Sequence, residues 1–97
     1  MSVAMFMKWD EVNKSLYEQM RKSVNWEGNI PKGLMFHVAA FSDKGIYVTD
    51  IWESAEDFNS FIEKRIMPAV MKAGVKTQPH VEIYPVHAIF APAYESK

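Results

Sequence analysis

The chain has 97 residues, of which 48% are hydrophobic and 13% aromatic, and its formal net charge is −1. This length predicts one domain spanning residues 1–97, with a single modest core. The absence of cysteine excludes disulfides and thiol-based catalysis or metal sites. The mixed charges contain no basic stripe that would indicate nucleic-acid binding, and no apolar run is long enough to cross a bilayer. The chain is therefore expected to be cytoplasmic and not membrane-bound.

The first part of the chain is predicted to form a strand, a helix and a loop. Apolar residues alternate from Ser2 to Trp9, which is typical of a strand. Asp10 is the predicted N-cap of the following helix. Residues 25–33 contain two glycines and a proline and are predicted to form a loop. The helix is amphipathic, because apolar residues recur every four positions and form one stripe: Val12, Leu16, Met20 and Val24.

Residues 33–54, GLMFHVAAFSDKGIYVTDIWES, predict a β-hairpin with residues 43–44 at its tip. This turn would place His37 opposite Asp50 and Met35 opposite Trp52, and opposed side chains share one face of a sheet. Alternate residues of a strand point to opposite faces of the sheet, and in both predicted strands each of the two sets is mainly apolar. Both faces of the hairpin are therefore expected to be covered by other parts of the protein.

The remaining elements are a second helix and a last strand. Ser54 opens the helix as its N-cap, and Pro68 is expected to kink it or to begin a new short helix. Gly74 is expected to end it. The last strand is predicted over residues 80–91, and Pro85 within it indicates an edge position or a bulge.

The order strand, helix, strand, strand, helix, strand predicts an α+β fold, the ferredoxin-like βαββαβ plait. Its four-stranded antiparallel sheet would have the spatial order 4-1-3-2, with both helices on one face. A lone subunit would then expose an apolar sheet face larger than soluble monomers usually show. Two sheets stacked about a two-fold axis would cover it, so a homodimer is predicted.

The segment DIWESAEDFNSFIEKRIMPAV resembles the dimeric α/β-barrel superfamily, and within it the short antibiotic-biosynthesis-monooxygenase-like proteins. The strand end Trp52-Glu53-Ser54, followed by Phe58 and Phe61, carries most of the resemblance, which extends from Ser2 to about Pro92. It implies a barrel formed by the sheets of two subunits, with a pocket between sheet and helices in each. Cofactor-free oxygenation of small aromatic compounds and haem degradation are both known among such proteins.

Three departures separate this chain from the haem-degrading branch. That branch has Trp at the position of Phe61, its haem-ligating His at the position of Met71, and an Asn on the first strand, where this chain runs VAMFMKW. None of these residues carries over, so haem degradation is rejected and no cofactor is predicted.

The candidate site combines the hairpin pair with aromatic and apolar neighbours. His37 would act as the catalytic base, Asp50 would orient it, and Trp52 would stack on a small apolar or aromatic ligand. An alternative reading is that His37 and Asp50 only satisfy one another within an apolar layer, in a dimer that binds a hydrophobic ligand or has a structural or regulatory role. The other predicted ligand-binding residues are Met35, Phe41, Phe61 and Tyr84.

The remaining histidines are assigned no chemistry. His87 lies in an apolar run and is interpreted as a structural residue. His80 and Glu82 form an H-x-E pair at the start of the last strand but lack the further ligands that a metal site requires, so no metal is predicted. An RNA-binding plait is excluded because the hairpin strands carry no Lys or Arg and Asp50 would repel phosphate.

Overall fold

The computed structural model, which describes residues 2–94, has its main elements in the order strand, helix, strand, strand, helical segment, strand. A π-helical turn over Ile62–Ile66 joins the second helix to the third, and a 3₁₀ turn covers Pro92–Tyr94. The helices are α1 (Lys14–Val24), α2 (Ala55–Phe61) and α3 (Met67–Lys72). The strands are β1 (Val3–Asp10), β2 (Leu34–Phe41), β3 (Gly45–Trp52) and β4 (His80–Pro85).

The strands form one antiparallel sheet in the order β2-β3-β1-β4, which confirms the predicted plait. Alternate residues of β1 and β3 face the helices and form the core with them. Within residues 2–94, no helix is both long enough and apolar enough to span a lipid bilayer. The buried core residues are Met5, Trp9, Val12, Met20, Trp26, Ile46, Val48, Trp52, Phe58, Ile66 and Val70.

The helix ends agree with the predictions at Ser54 and Gly74 but not at Asp10. The Ser54 hydroxyl accepts a hydrogen bond from the backbone N–H of Asp57 at 3.1 Å. Gly74, which follows α3, has φ +79°, a left-handed conformation that favours glycine. Asp10 is the last residue of β1, and Asn13 caps α1 instead, accepting from the backbone N–H of Leu16 at 2.8 Å. Glu11, with φ 74°, turns the chain between strand and helix, so the helix begins later than predicted.

The hairpin keeps the predicted pairing of His37 with Asp50, but a β-bulge changes it further along. The backbone N–H of Ser42 donates to the carbonyl of Gly45 at 2.9 Å and closes the turn. The ladder is regular back to Phe36, where the register shifts, so that Leu34 and not Met35 lies opposite Trp52. The predicted pairing of Met35 with Trp52 was therefore wrong, because the extra residue of the bulge is left unpaired.

Strand β4 is shorter than predicted. It ends at Pro85 rather than continuing to residue 91, although it does lie at an edge of the sheet as Pro85 indicated. Proline has no N–H to extend a ladder. The backbone N–H of Val86 still donates to the carbonyl of Ser2 at 3.0 Å, beyond which residues 87–91 have no regular structure.

The face of the sheet turned away from the helices is open in the single chain. Phe6 at its centre is 45% exposed, although it belongs to a central strand. The backbone register places neighbouring apolar side chains on the same face. Those that are also exposed are Phe36, Val38, Tyr47 and, on β4, Tyr84.

Candidate functional site

A cavity of about 80 Å³ lies between the sheet and the helices. Its walls are mainly apolar, because the helix-facing rows of β1 and β3 meet the apolar sides of α1, α2 and the π-helical turn. Tyr17, His37, Asp50 and Trp52 are among the lining residues that carry polar groups. An apolar enclosure with a few convergent polar groups is typical of small-molecule sites. Among the apolar residues of the wall are Met5, Met7, Met20, Val48, Phe61 and Ile62.

Asp50 is the buried centre of a hydrogen-bond network along one side of this cavity. Asp50 is only 5% exposed, and each of its two carboxylate oxygens has its own hydrogen-bond partner. Oδ1 lies 2.7 Å from Nδ1 of His37 across the hairpin, and Oδ2 lies 3.0 Å from Nε1 of Trp52. Trp52 is fully buried and packs its ring against Phe58 and Phe61. The core thus holds Trp52 in place, and Trp52 in turn helps to hold the carboxylate.

One arrangement of protons follows from the partners of the network when Asp50 is ionised and His37 is neutral. An indole N–H can only donate, so Oδ2 of Asp50 accepts from Trp52. With Asp50 ionised, Oδ1 accepts from Nδ1–H of His37, which leaves Nε2 of the neutral imidazole as an acceptor. Nε2 lies 2.8 Å from the hydroxyl of Tyr17, which therefore donates to it. The chain of donors and acceptors runs Tyr17 to His37 to Asp50.

Tyr17 is the member of the network that comes from a helix. It extends from α1 and packs between the edge of Phe41 and the ring of Trp26, with ring centroids 5.7 and 5.6 Å away. Burial raises the pKa of the Tyr17 hydroxyl above its ordinary value of 10.0. The group is therefore a neutral hydrogen-bond donor and acceptor at neutral pH.

The structure brings together some of the predicted site residues and separates others. His37, Asp50, Trp52 and Phe61 all line the cavity. Phe41 lies beside it, against Tyr17. Met35 does not line it: its position in the bulge leaves it 54% exposed, and Leu34 takes its place in the wall.

Tyr84 is also outside the cavity. It is 53% exposed on the open face of the sheet, packed near Phe6, because its position in β4 turns its side chain away from the helices. Its hydroxyl donates to Glu82 at 2.7 Å, and this bond raises the pKa of Tyr84. The hydrogen bond from Tyr84 lowers the pKa of Glu82, and a second hydrogen bond from His80 lowers it further. The side chains of His80 and Glu82 are both exposed at the surface.

His87, interpreted from the sequence as a structural histidine in an apolar run, is exposed in the single chain, beyond the end of β4. Within residues 2–94, no group of three or more His, Asp or Glu side chains lies close enough together to hold a metal ion.

Two residues of the site were not predicted from the sequence, Tyr17 and Trp26. Tyr17 follows Leu16 of the apolar stripe and could have been recognised as one edge of it. Trp26 is buried from within the polar loop, with its edge against His37 at 5.6 Å between ring centroids. A large aromatic residue among loop-forming residues was the available signal for it.

Comparisons with solved structures find the same fold in several proteins at low sequence identity. A protein of unknown function from Nitrosomonas europaea superimposes with a TM-score of 0.69 and 16% identity, covering 94% of both chains. SnoaB, a cofactor-independent oxygenase from Streptomyces nogalater, gives a TM-score of 0.59 at 9% identity, covering 91% of this chain and 93% of its own.

A candidate antibiotic biosynthesis monooxygenase from Chloroflexus aurantiacus gives a TM-score of 0.58 at 13% identity, covering 93% of this chain and 98% of its own. No protein-family model and no curated protein matches the sequence. The subunit fold implied by the sequence resemblance, the βαββαβ plait, is nevertheless confirmed. The chain has the ferredoxin-like α+β fold of the antibiotic-biosynthesis-monooxygenase-like proteins.

Proposed function

We propose that this protein is a homodimeric α/β-barrel enzyme that oxygenates a small aromatic substrate with O₂ and no cofactor. The observation that carries the proposal is the partly buried Tyr17–His37–Asp50 network, with Asp50 as its buried centre, beside an apolar cavity. An apolar cavity accepts an aromatic ring, and the histidine provides a base oriented by a carboxylate. The likeness in fold to a cofactor-independent oxygenase supports the reaction class by analogy only.

In the proposed reaction the substrate itself supplies the electrons. Hydroquinone illustrates the balance: hydroquinone and O₂ give 2-hydroxy-1,4-benzoquinone and water. His37 accepts a hydroxyl proton, which makes the ring electron-rich enough to reduce O₂. One oxygen atom forms the new C–O bond, the other leaves as water with two hydrogens of the substrate, and four electrons pass from the ring to O₂. The role of Asp50 is to hold His37 with Nδ1 protonated, so that Nε2 is the basic atom.

The dimeric part of the proposal rests on the open face of the sheet. Phe6 and Phe36 lie on that face with 45% and 36% of their surface exposed. Phe90, beyond β4, is 88% exposed and adds to the apolar surface of the chain. An isologous contact between two such faces would cover them with a second sheet.

One observation favours a second function, binding of a small hydrophobic ligand without catalysis. Both ring nitrogens of His37 already have partners, and each buried polar side-chain atom within residues 2–94 has a hydrogen bond. A network that is complete without substrate can be purely structural. Turnover distinguishes the two functions.

The test is oxygen uptake by the chelator-treated protein with hydroquinone, corrected for spontaneous oxidation. Product formed under ¹⁸O₂ is analysed by mass spectrometry for one labelled oxygen atom. We expect His37→Gln to lower the rate by about 100-fold or more, since it removes the general base. His87→Gln is the matched control, because it changes an exposed histidine outside the cavity and should leave the rate unchanged.

Equal rates for wild type and His37→Gln would refute the assignment of His37 as the base. Tight binding of aromatic ligands without oxygen uptake by any of the proteins would favour the non-catalytic function.

A further inference from the structure

We infer that the ligand of the cavity is a single-ring compound whose polar group donates a hydrogen bond to Tyr17, a phenol in the simplest case. The inference rests on the proposed function for the location of the ligand, and it adds the ligand's size, its hydrogen-bonding character and the residue that it touches.

The size of the cavity favours a small ligand of one ring. Its volume of about 80 Å³ is near half of the roughly 150 Å³ of an apolar cavity that takes up one benzene molecule. Met5, Met7 and Met20 line it, and methionine side chains re-pack readily around a guest. We therefore expect a guest no larger than one ring, admitted by re-packing of these side chains.

The hydrogen-bond network determines which polar group the ligand must carry. Asp50 accepts from both His37 and Trp52, so its two oxygens are occupied by donors. The Tyr17 hydroxyl uses its single proton on Nε2 of His37. What Tyr17 retains is a lone pair, and among residues 2–94 no other group hydrogen-bonds to it. A ligand with an O–H or N–H group satisfies that lone pair, and a ligand with only a carbonyl or ether oxygen does not.

The same geometry makes Tyr17 a relay between ligand and base. A ligand hydroxyl passes its proton to the Tyr17 oxygen while Tyr17 passes its own proton to Nε2 of His37. The products are a ligand phenolate and an imidazolium paired with Asp50, and no bond other than O–H and N–H is made or broken. Burial raises the pKa of Tyr17, so its hydroxyl stays protonated at neutral pH, as the relay requires.

The experiment is a ¹⁹F NMR titration with 4-fluorophenol, a donor, and 4-fluoroanisole, which only accepts. The readout is the ratio of the two dissociation constants in wild type and in Tyr17→Phe. The penalty for the extra methyl group of the anisole is common to both proteins and cancels in that comparison. We expect the preference for the phenol to fall by about 10-fold in Tyr17→Phe, the effect of one buried hydrogen bond.

Tyr47→Phe is the matched control, since it removes a phenol hydroxyl from the open face of the sheet and should keep the wild-type ratio. An unchanged ratio in Tyr17→Phe, an equal loss in Tyr47→Phe, or no binding of 4-fluorophenol by the wild type would each overturn the inference. Should Tyr17→Phe not fold, the wild type still decides the question. The ¹⁵N signals of His37 must then shift with 4-fluorophenol and not with 4-fluoroanisole.

The outcome is separable from that of the proposed function. Tyr17-dependent binding of the phenol without oxygen uptake would support the ligand class and refute the oxygenase. Oxygen uptake together with phenol binding that does not depend on Tyr17 would support the oxygenase and refute the ligand class.

Discussion

The hydroxyl of Tyr17 lies 2.8 Å from Nε2 of His37, which joins helix α1 to strand β2 at the edge of the cavity. Burial of the same hydroxyl makes the stability of the protein sensitive to pH in the alkaline range. Burial raises the pKa of Tyr17, so the unfolded chain loses this proton first as the pH rises. Above about pH 10 the native state therefore holds more protons than the unfolded state, and the free energy of unfolding falls with pH.

We expect the contribution to be complete below about pH 10 and to be lost as the pH rises through the folded-state pKa. Urea unfolding between about pH 8 and about pH 11 measures it. The decline should be shallower in Tyr17→Phe than in wild type, and Tyr47→Phe should follow the wild-type curve. Parallel curves for wild type and Tyr17→Phe would show that Tyr17 is not perturbed by burial.

Asp50→Asn should preserve the fold and reverse the tautomer of His37. The amide oxygen can still accept from Trp52, but its NH₂ group would face Nδ1 of His37, which must then become the acceptor. The ring proton moves to Nε2, and the base is lost. ¹⁵N NMR of the histidine side chains identifies the tautomer, with Nδ1 protonated in wild type and Nε2 protonated in the variant. Asp43→Asn, at the exposed tip of the hairpin, is the control.

A wild-type spectrum with Nε2 protonated would contradict the direction of the whole hydrogen-bond chain. In that case Tyr17 would be the acceptor, and Asp50→Asn would leave the histidine signals nearly unchanged.

Trp52→Phe should destabilise the protein more than Trp9→Phe. Both residues are buried and donate through the indole N–H, but Trp52 donates to a buried carboxylate, whereas Trp9 donates to the carbonyl and hydroxyl oxygens of the partly buried Thr77. Leaving a carboxylate oxygen unpaired costs about 1–3 kcal/mol beyond the lost packing. Urea unfolding compares the two variants directly. Equal losses in the free energy of unfolding would mean that the hydrogen bond to Asp50 contributes no stability beyond that of the packing.

Leu34→Ala should lower the stability more than Met35→Ala, the reverse of what the regular hairpin predicted from the sequence implies. Leu34 packs against the core opposite Trp52, whereas Met35 is exposed in the bulge. We expect a loss of at least about 1 kcal/mol for Leu34→Ala and less than about 0.5 kcal/mol for Met35→Ala. Chemical denaturation distinguishes them. A larger loss for Met35→Ala would mean that Met35 packs against the core.

Phe6→Glu should convert the proposed dimer to a folded monomer. The side chain lies at the centre of the open sheet face, where a buried carboxylate without a partner would be strongly unfavourable. Sedimentation velocity gives the mass, and circular dichroism confirms the fold. Ile30→Glu is the control, since Ile30 is an apolar residue in the loop before β2 that is even more exposed than Phe6. A wild type that sediments as a monomer at all concentrations would refute the dimer.

The hairpin register shows how far local patterns can reach. The short turn over residues 42–45 fixes the register of the two strands that it joins. The pairing of His37 with Asp50 could therefore be predicted by counting residues outwards from the turn. The same counting was wrong beyond the bulge, because nothing in the order of apolar residues distinguishes a bulged Met35 from a paired one. Errors of this kind grow with distance from the turn.

By itself the sequence determined the order of the elements, the plait that they form and the shared face of His37, Asp50 and Trp52. These follow from hydrophobic periodicity and from a short turn, both of which act between near neighbours along the chain. Only the tertiary structure decided that Tyr17 and Trp26 meet His37 and that Tyr84 does not. Those contacts depend on how α1 and its following loop pack across the sheet, and periodicity along one element does not specify its distance from another.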